Sequence, residues 1–150
     1  MPQSLARNLI HLIFSTKNRA PLLRADVRPD LHGYMAGIFK HWDSPAIIIG
    51  SVEDHIHILF NLSKNHALSK VVEEVKRGSS KWIKTQGPEF AEFYWQNGYG
   101  AFSVSPSQLD VVSQYIANQE EHHRTVGFQD EFREFCRRHG VEFDERYAWD

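Results

Sequence analysis

The hydrophobic pattern of the chain changes from strand-like runs to helix-like spacing several times. Unbroken apolar runs of strand length predict buried strands, and apolar residues three and four positions apart predict amphipathic helices. In chain order, the predicted elements are a strand over 7–16, a helix over 28–42, strands over 45–52 and 54–62, a helix over 68–84, a strand over 93–104, and helices over 108–124 and 130–139. Asn97-Gly98 predicts a turn or bulge within the fourth strand.

This order of elements, β-α-β-β-α-β followed by helices, predicts an α+β fold of the ferredoxin-like (RRM-like) split βαβ type. Its sheet has four antiparallel strands, with the first and third strands at the centre. The two long helices cover one face and leave the other for a site or for the last helices. The length of 150 residues predicts a single domain over 1–150.

Composition narrows the class of protein. Hydrophobic residues make up 41% and charged residues 24%, which are ordinary values for a globular protein. The single cysteine, Cys136, excludes an intramolecular disulfide and a cysteine-rich zinc site. No apolar run reaches the length of a membrane span, and the first residues lack the pattern of a signal peptide. We therefore expect a cytoplasmic protein with no membrane partner.

Charge is segregated along the chain, although the net charge is only −2. Residues 1–42 and residues 64–84 each carry +4, whereas residues 118–150 carry −4. Local charge matters more than net charge for phosphate binding. Two readings stay open at this point, a basic surface for nucleic acid or ordinary solvated helix faces.

The most informative motif is His55-Ile56-His57 in the third predicted strand. Residues i and i+2 of a strand face the same side, about 6–7 Å apart, so the two imidazoles can converge on one metal ion. Ile56 and Ile58 then point into the packed face. The alternative is a pair of exposed or hydrogen-bonded histidines without a metal.

The helix over 108–124 carries residues that would complement such a site. Tyr115 and Gln119 are four positions apart and share one helix face. If this helix lies on the open sheet face, the Gln119 oxygen joins the two histidines and the Tyr115 hydroxyl reaches the same spot. Two imidazoles and an oxygen suit Mg²⁺ or Mn²⁺, and Mn²⁺ tolerates nitrogen ligands better. A core aromatic is the alternative for Tyr115. His122 and His123 are rival ligands, but solvated residues near a helix end are the favoured interpretation.

Five motifs in order carry a family resemblance: Phe14-Ser-Thr-Lys-Asn-Arg19, Lys76-Arg77-Gly-Ser-Ser80, Trp95-Gln-Asn-Gly-Tyr-Gly-Ala-Phe-Ser-Val104, Tyr115-Ile-Ala-Asn-Gln119-Glu-Glu-His-His123, and Tyr147-Ala-Trp-Asp150. Together with the His-hydrophobic-His motif, they resemble the single-tyrosine HUH transposases. These comprise small insertion-sequence transposases that act on single-stranded DNA and the REP-associated tyrosine transposases.

The resemblance implies both chemistry and partners. It implies that His55, His57 and Gln119 bind a divalent metal, Mg²⁺ or Mn²⁺. Tyr115 would attack the scissile phosphate, giving a 5′-phosphotyrosine and a free 3′-OH. The family recognises single-stranded DNA hairpins and forms homodimers, in which the tyrosine serves its own or the partner's metal site. Our candidates for phosphate contacts are the basic residues Lys17, Arg19, Lys76, Arg77 and Lys81.

Two rival functions remain. A non-catalytic nucleic-acid-binding protein of the same fold is the first, but the RNA-recognition signature is missing and histidines occupy the third strand. A hydrolase with a His-x-His-x-His motif is the second, and Leu59 breaks that motif. Loss of activity on adding a chelator would exclude the first rival.

Overall fold

The fold is seen in a computed structural model that describes residues 2–123 and 125–150. Within these residues, the strands and helices are β1 Asn8–Ser15, α1 Arg28–His41, β2 Ala46–Ser51, β3 His55–Leu62, α2 Leu68–Lys84, β4 Gly100–Val104, α3 Leu109–Ala117, α4 Gln119–His122 and α5 Phe128–Arg138. Among the described residues, no helix combines the length and the apolar character that crossing a membrane requires.

The four strands form one antiparallel sheet in the order β2-β3-β1-β4. β1 and β3 are central, as predicted, and pair along their whole length from Asn8–Leu62 to Ser15–His55. β2 and β3 form the expected hairpin across the short 52–54 connection. The α+β prediction is therefore confirmed, and both histidines of the motif stand on a central strand.

One face of the sheet carries the main hydrophobic core. Ile56, Ile58 and Phe60 of β3 pack there with residues of α1 and α2. The apolar stripe predicted for α2 is confirmed, since Val71, Val72, Val75, Ser79 and Ile83 are its buried residues. Fully burying a side chain of this size contributes about 1.5–3 kcal/mol. This face therefore supplies most of the hydrophobic stabilisation. Because Ile56 and Ile58 point into it, His55 and His57 point to the opposite face of the sheet.

The opposite face is covered by the C-terminal helices through two smaller clusters. Ile116 of α3 packs against Leu9 and Leu59, and Phe132 of α5 packs against Ile13 with Phe128, Cys136 and Phe102. Leu59 and Ile13 flank His57, along β3 and across the pair with β1. The polar site therefore lies in a gap between two apolar contacts.

The fourth strand is shorter than predicted, because residues 93–99 are not part of it. Thr16 pairs with Trp95 and Ile13 pairs with Gly100, so β1 advances three residues while the other segment advances five. The two extra residues bulge out at the predicted Asn97-Gly98 position. The Lys76 ammonium donates to the carbonyls of Gln96 and Gly98, at 2.8 and 2.6 Å. The apolar residues over 93–99 that suggested a strand are apolar because Phe93 and Trp95 are buried in the main core, not because this segment is part of β4.

The predicted helix over 108–124 is broken at Asn118, where α3 ends and α4 begins. Asn118 has φ −99° and ψ 23°, outside the helical range, and its N–H still bonds to the Gln114 carbonyl. No described side chain caps the start of α3, and the turn Pro106–Gln108 leads into it. Arg124, the last predicted residue, lies outside the described residues. Tyr115 and Gln119 therefore lie on separate helices.

Gly50 of β2 sets how closely α3 approaches the sheet, and replacing it tests this docking. A Cβ at Gly50 would lie 2.5 Å from the backbone oxygen of Ile116. We expect Gly50→Ala to destabilise the protein by about 1–3 kcal/mol, since backbone atoms must shift. Urea unfolding measures this.

Gly37→Ala in α1 is the matched control, since its Cβ would have no neighbour within 4 Å. Alanine is the better helix former by about 0.5–1 kcal/mol, so the control should be slightly stabilised. Equal stability of the two variants would contradict the close approach of α3.

Candidate active site

His55 and His57 project from β3 into the gap between the C-terminal helices. Both are buried, with ring centroids 5.4 Å apart. In each ring the Nδ1 atom has a hydrogen-bond partner outside the site. His55 Nδ1 lies 2.7 Å from the Asp54 carboxylate, and His57 Nδ1 lies 2.8 Å from His11 Nε2. Such contacts fix ring orientation and leave the Nε2 atoms to face inward, the usual arrangement of metal-binding histidines.

His123 joins the two histidines from the residue after α4. Its Nδ1 lies 2.6 Å from the carbonyl oxygen of Val126, and its Nε2 lies 2.8 Å from His55 Nε2. The side chain of His123 is only 9% exposed, whereas that of His122 is 29% exposed. The favoured expectation that both are solvated is wrong for His123, because the break at Asn118 turns α4 toward the sheet.

Glu131 of α5 was not predicted, yet its carboxylate lies at the centre of the site. Its Oε1 is 2.7 Å from His57 Nε2 and 3.4 Å from His55 Nε2. Its Oε2 is 3.0 Å from His122 Nε2 and 3.1 Å from His123 Nε2. The ligand atoms of His55, His57, His123 and Glu131 all lie within 4.8 Å of one another.

The amphipathic pattern of α5 contained a signal for Glu131. Phe128, Phe132 and Cys136 form its buried stripe, and Glu131 falls on the same stripe. A carboxylate on the apolar side of a helix is rarely left buried without a partner. The sequence could therefore have indicated that Glu131 meets positive or hydrogen-bonding groups, but not which ones.

Tyr115 lies on the last turn of α3 and reaches the same cluster. Its hydroxyl donates to the Glu131 carboxylate and lies 2.9 Å from His122 Nε2. Its ring packs edge-on against His57 and Phe135, with centroids 5.7 and 5.6 Å away. The structure therefore brings Tyr115 to the histidines of β3 within one chain.

Gln119 is also buried, at 2% exposure, at the start of α4. Its Nε2 donates to the Tyr115 carbonyl oxygen at 3.1 Å, and its Oε1 has no hydrogen-bond partner among the described residues. Leaving a buried oxygen without a partner costs about 1–3 kcal/mol. An unpartnered amide oxygen is a type of ligand that a divalent cation accepts, so Gln119 keeps one donor atom free at the start of α4.

Burial and mutual contact shift the pKa values of these groups in opposite directions. Burial alone raises the pKa of Glu131, but its contacts with the imidazoles of His123, His55 and His57 outweigh burial and hold that pKa well below its usual range. Burial lowers the pKa of His57 to about 4, despite the opposing effect of Glu131. For His55, Asp54 and Glu131 outweigh burial and raise the pKa. The site is therefore built around an ionised carboxylate.

The Tyr115 phenol is held in its protonated form. Burial is the main cause of its raised pKa, and the negative charge of Glu131 adds to it. A tyrosine in this environment is a weak nucleophile until its proton is accepted or a positive charge approaches.

The five basic residues proposed for phosphate contacts do not share one environment. Lys17 and Arg19 lie in the turn after β1. This turn is close to the start of β3, because the N–H of Thr16 donates to the carbonyl of Asp54, the residue before His55. Arg77 pairs with Glu73 and Glu74, and Lys76 is bound to backbone carbonyls. Lys81 is exposed on α2. Of the five proposed residues, Lys17 and Arg19 therefore lie in the turn next to the end of β3 that carries His55.

Solved structures with a similar fold are themselves transposases. A putative transposase from Deinococcus radiodurans R1 superposes with a TM-score of 0.62 at 22% identity, covering 79% of this chain and 98% of the other. The REP-associated tyrosine transposase bound to a REP hairpin gives a TM-score of 0.61 at 12% identity, covering 84% of this chain and 74% of the other. At these identities, the two structures show that the fold is shared.

The family follows from the sequence. Residues 4–119 match the family model described as "Transposase IS200 like". The ISDra2 transposase TnpA of Deinococcus radiodurans is 23% identical over 116 residues, which cover 74% of this chain and 83% of that protein. The chain therefore belongs to the IS200-like transposase family, the single-tyrosine HUH transposases that its motifs resemble. The matched span includes His55, His57, Tyr115 and Gln119, and it ends before His123 and Glu131.

A cleft of about 540 Å³ lies beside the site, between α1, β2 and the α3–α4 junction. Gln119 and Gly50 line it together with His32 and Arg28 of α1. The ring of His32 lies 2.7 Å from the Ser51 hydroxyl, and burial, with a smaller effect of Arg28, lowers its pKa to about 4.

His32 gives a prediction about acid stability. Between pH 6.5 and 4 the unfolded chain takes up a proton on His32 that the folded chain excludes, so the unfolding free energy falls with falling pH. His32→Gln removes this proton uptake but keeps a group that can bond to Ser51. Between pH 6.5 and 4.5, the variant should lose about 1–2 kcal/mol less stability than the wild type. Urea unfolding at several pH values measures this, and parallel curves for the two proteins would refute it.

Proposed function

We propose that this protein is a metal-dependent transposase that cleaves and rejoins single-stranded DNA at hairpin-marked element ends through a 5′-phosphotyrosine on Tyr115. Family membership supports the class of reaction. The observation that carries the proposal is the position of the Tyr115 hydroxyl in one buried cluster with His55 and His57.

The chemistry is a transesterification. The Tyr115 oxygen gives up its proton and forms a bond to the scissile phosphorus. The bond from phosphorus to the 3′ oxygen breaks, and the 3′ oxygen takes up one proton and leaves as a hydroxyl. Rejoining reverses these steps with another 3′-OH as the nucleophile, so the energy of the phosphodiester is kept and no ATP is needed.

The residues of this chain would divide the work as follows. His55, His57 and Gln119 would hold the divalent metal, Mg²⁺ or Mn²⁺, which supplies Lewis-acid polarisation of the scissile phosphate when bound. The Glu131 carboxylate, as acceptor of the Tyr115 hydroxyl, holds the phenol in place. The buried position of the cluster keeps water away from the phosphotyrosine.

The proposed DNA partner is a single-stranded hairpin. The REP-associated relative was solved bound to a REP hairpin, which supports a similar ligand here. Lys17 and Arg19, beside the sheet end that carries His55, are the cations placed to bind the backbone near the scissile phosphate. Tyr115 meets the histidines of its own chain, which favours action in cis. The homodimer implied by the resemblance stays a prediction, which size-exclusion chromatography with light scattering would test.

One observation favours the alternative of a non-catalytic hairpin-binding protein. Glu131 occupies the space between Tyr115 and the histidines, where a phosphate would have to enter. A protein that kept Glu131 there permanently would bind hairpins without cleaving them. The two functions differ in whether a covalent adduct forms.

Tyr115→Phe decides between them. Single-stranded DNA carrying the hairpins that flank the gene is incubated with the protein and Mn²⁺, and denaturing electrophoresis resolves protein–DNA adducts. We expect an adduct with the wild type and none with Tyr115→Phe, because only the attacking oxygen is lost, while hairpin affinity stays within about twofold.

Tyr34→Phe is the matched control, since Tyr34 is an exposed tyrosine stacked on Trp82 of α2. It should form the adduct at the wild-type rate. An adduct that persists in Tyr115→Phe would overturn the mechanism, and hairpin binding without any wild-type adduct would support the alternative.

The phosphate contacts give a second prediction. The double variant Lys17→Ala/Arg19→Ala should bind hairpins of any sequence more weakly. The slope of log affinity against log salt concentration should be smaller in magnitude by about 2, since each lost phosphate contact accounts for about 0.9. Arg133→Ala/Arg137→Ala removes the same charge from side chains that pair with Asp130, Glu145 and Glu134 at the surface, and it serves as control. Equal salt slopes for the two double variants would show that Lys17 and Arg19 do not touch phosphate.

A further inference from the structure

We propose that His123 and Glu131 are ligands of the divalent metal, so that the C-terminal segment completes a site of which β3 supplies only half. The inference rests on the proposed function insofar as that function requires a bound cation. Both residues lie beyond the span 4–119 that matches the family model, so the inference rests on the contacts of this chain and not on the family match.

The first argument is the direction in which the imidazole nitrogens face. The Val126 carbonyl can only accept a hydrogen bond, so the proton of His123 lies on Nδ1 and its Nε2 presents a lone pair. Asp54 likewise draws a proton onto His55 Nδ1. The two Nε2 atoms nevertheless face each other at 2.8 Å. Two lone pairs repel at this distance unless a cation, either a proton or a metal ion, lies between them.

The second argument is spacing. An ion with bonds of about 2.0–2.2 Å holds neighbouring ligand atoms about 2.8–3.1 Å apart in an octahedral arrangement and about 3.3–3.6 Å apart in a tetrahedral one. The inward atoms of this cluster are 2.7 to 3.4 Å apart where they touch, from His57 Nε2 to Glu131 Oε1 and from His55 Nε2 to the same oxygen. A small outward movement of the side chains would therefore make room for an ion. The Nδ1 contacts of His55 with a carboxylate and of His123 with a backbone carbonyl are already of the kind that metal-binding histidines make.

The third argument is charge. Three neutral imidazoles and the amide of Gln119 would leave the full charge of a divalent ion buried, which is expensive in an interior of low polarity. The ionised carboxylate of Glu131 halves that charge, and Glu131 is only 3% exposed. A carboxylate buried this deeply needs a cationic partner, and no described Lys or Arg side chain forms an ion pair with it.

The experiment measures binding of Co²⁺ alone, without DNA. Isothermal titration gives the Kd, and the visible d–d spectrum reports coordination number, since four-coordinate Co²⁺ absorbs far more strongly than six-coordinate Co²⁺. We expect Glu131→Gln to raise the Kd at least about tenfold and to weaken or shift the d–d bands. His123→Gln should do the same, because each variant removes one ligand.

Glu134→Gln is the matched control, because Glu134 lies on the same helix but pairs with Arg137 and Arg138 at the surface. It should bind Co²⁺ as the wild type does. Far-UV circular dichroism tests whether each variant is folded. If Glu131→Gln does not fold, the Co²⁺ binding of His123→Gln tests the proposed ligand set.

The outcomes separate this inference from the proposed function. Wild-type Kd and spectrum in folded Glu131→Gln or His123→Gln would overturn the extended ligand set, while leaving a metal on His55, His57 and Gln119. A wild type that binds no Co²⁺ overturns this inference together with the metal requirement. Co²⁺ binding that is weakened in Glu131→Gln and His123→Gln, without any DNA adduct in the wild type, would uphold the proposed metal site and refute the transposition chemistry.

Discussion

The alternation of side chains along β3 is the constraint on which the rest of the structure depends. Ile56 and Ile58 enter the main core, and His55 and His57 therefore stand on the opposite face. Because β3 is central, pairing on both sides fixes its register, with Ile13 and Gly50 opposite His57. A slip of one residue would exchange the two faces and bury imidazoles in the apolar core. Fold stability and site geometry are thus two results of one register.

A site on the second face must be closed against water, and the C-terminal helices do this with polar as well as apolar contacts. Phe132 and Ile116 anchor α5 and α3 on either side of the histidines. Between them, the Glu131 carboxylate meets four imidazoles and the Tyr115 hydroxyl. Removing one partner from a buried charged group typically costs about 3–5 kcal/mol. Glu131 therefore adds a polar connection between α5 and the sheet to the apolar contacts on either side.

Sequence patterns predicted the parts of the fold that depend on local periodicity. The bounds of α2, the central positions of β1 and β3, and the arrival of Tyr115 near the histidines agree with the structure. The break at Asn118, the late start of β4 and the role of Glu131 were missed. Each depends on contacts between residues far apart in sequence, such as Lys76 with the Gln96 carbonyl. Periodicity shows that a residue is buried but does not identify its partner.

The position of Glu131 joins access to the site with its chemistry. The Oε1 atom of Glu131 faces His57 and His55, and its Oε2 atom accepts a hydrogen bond from the Tyr115 hydroxyl. The same carboxylate therefore covers both the tyrosine hydroxyl and the histidines. The proposed cleavage would need both places for the phosphate, because its phosphorus would have to meet Tyr115 while its oxygens lay toward the histidines. A phosphate also carries the negative charge that Glu131 now supplies, so exchanging one for the other preserves the local charge balance. If DNA is cleaved at this site as proposed, its entry would displace Glu131, and one anion would replace another at the same place.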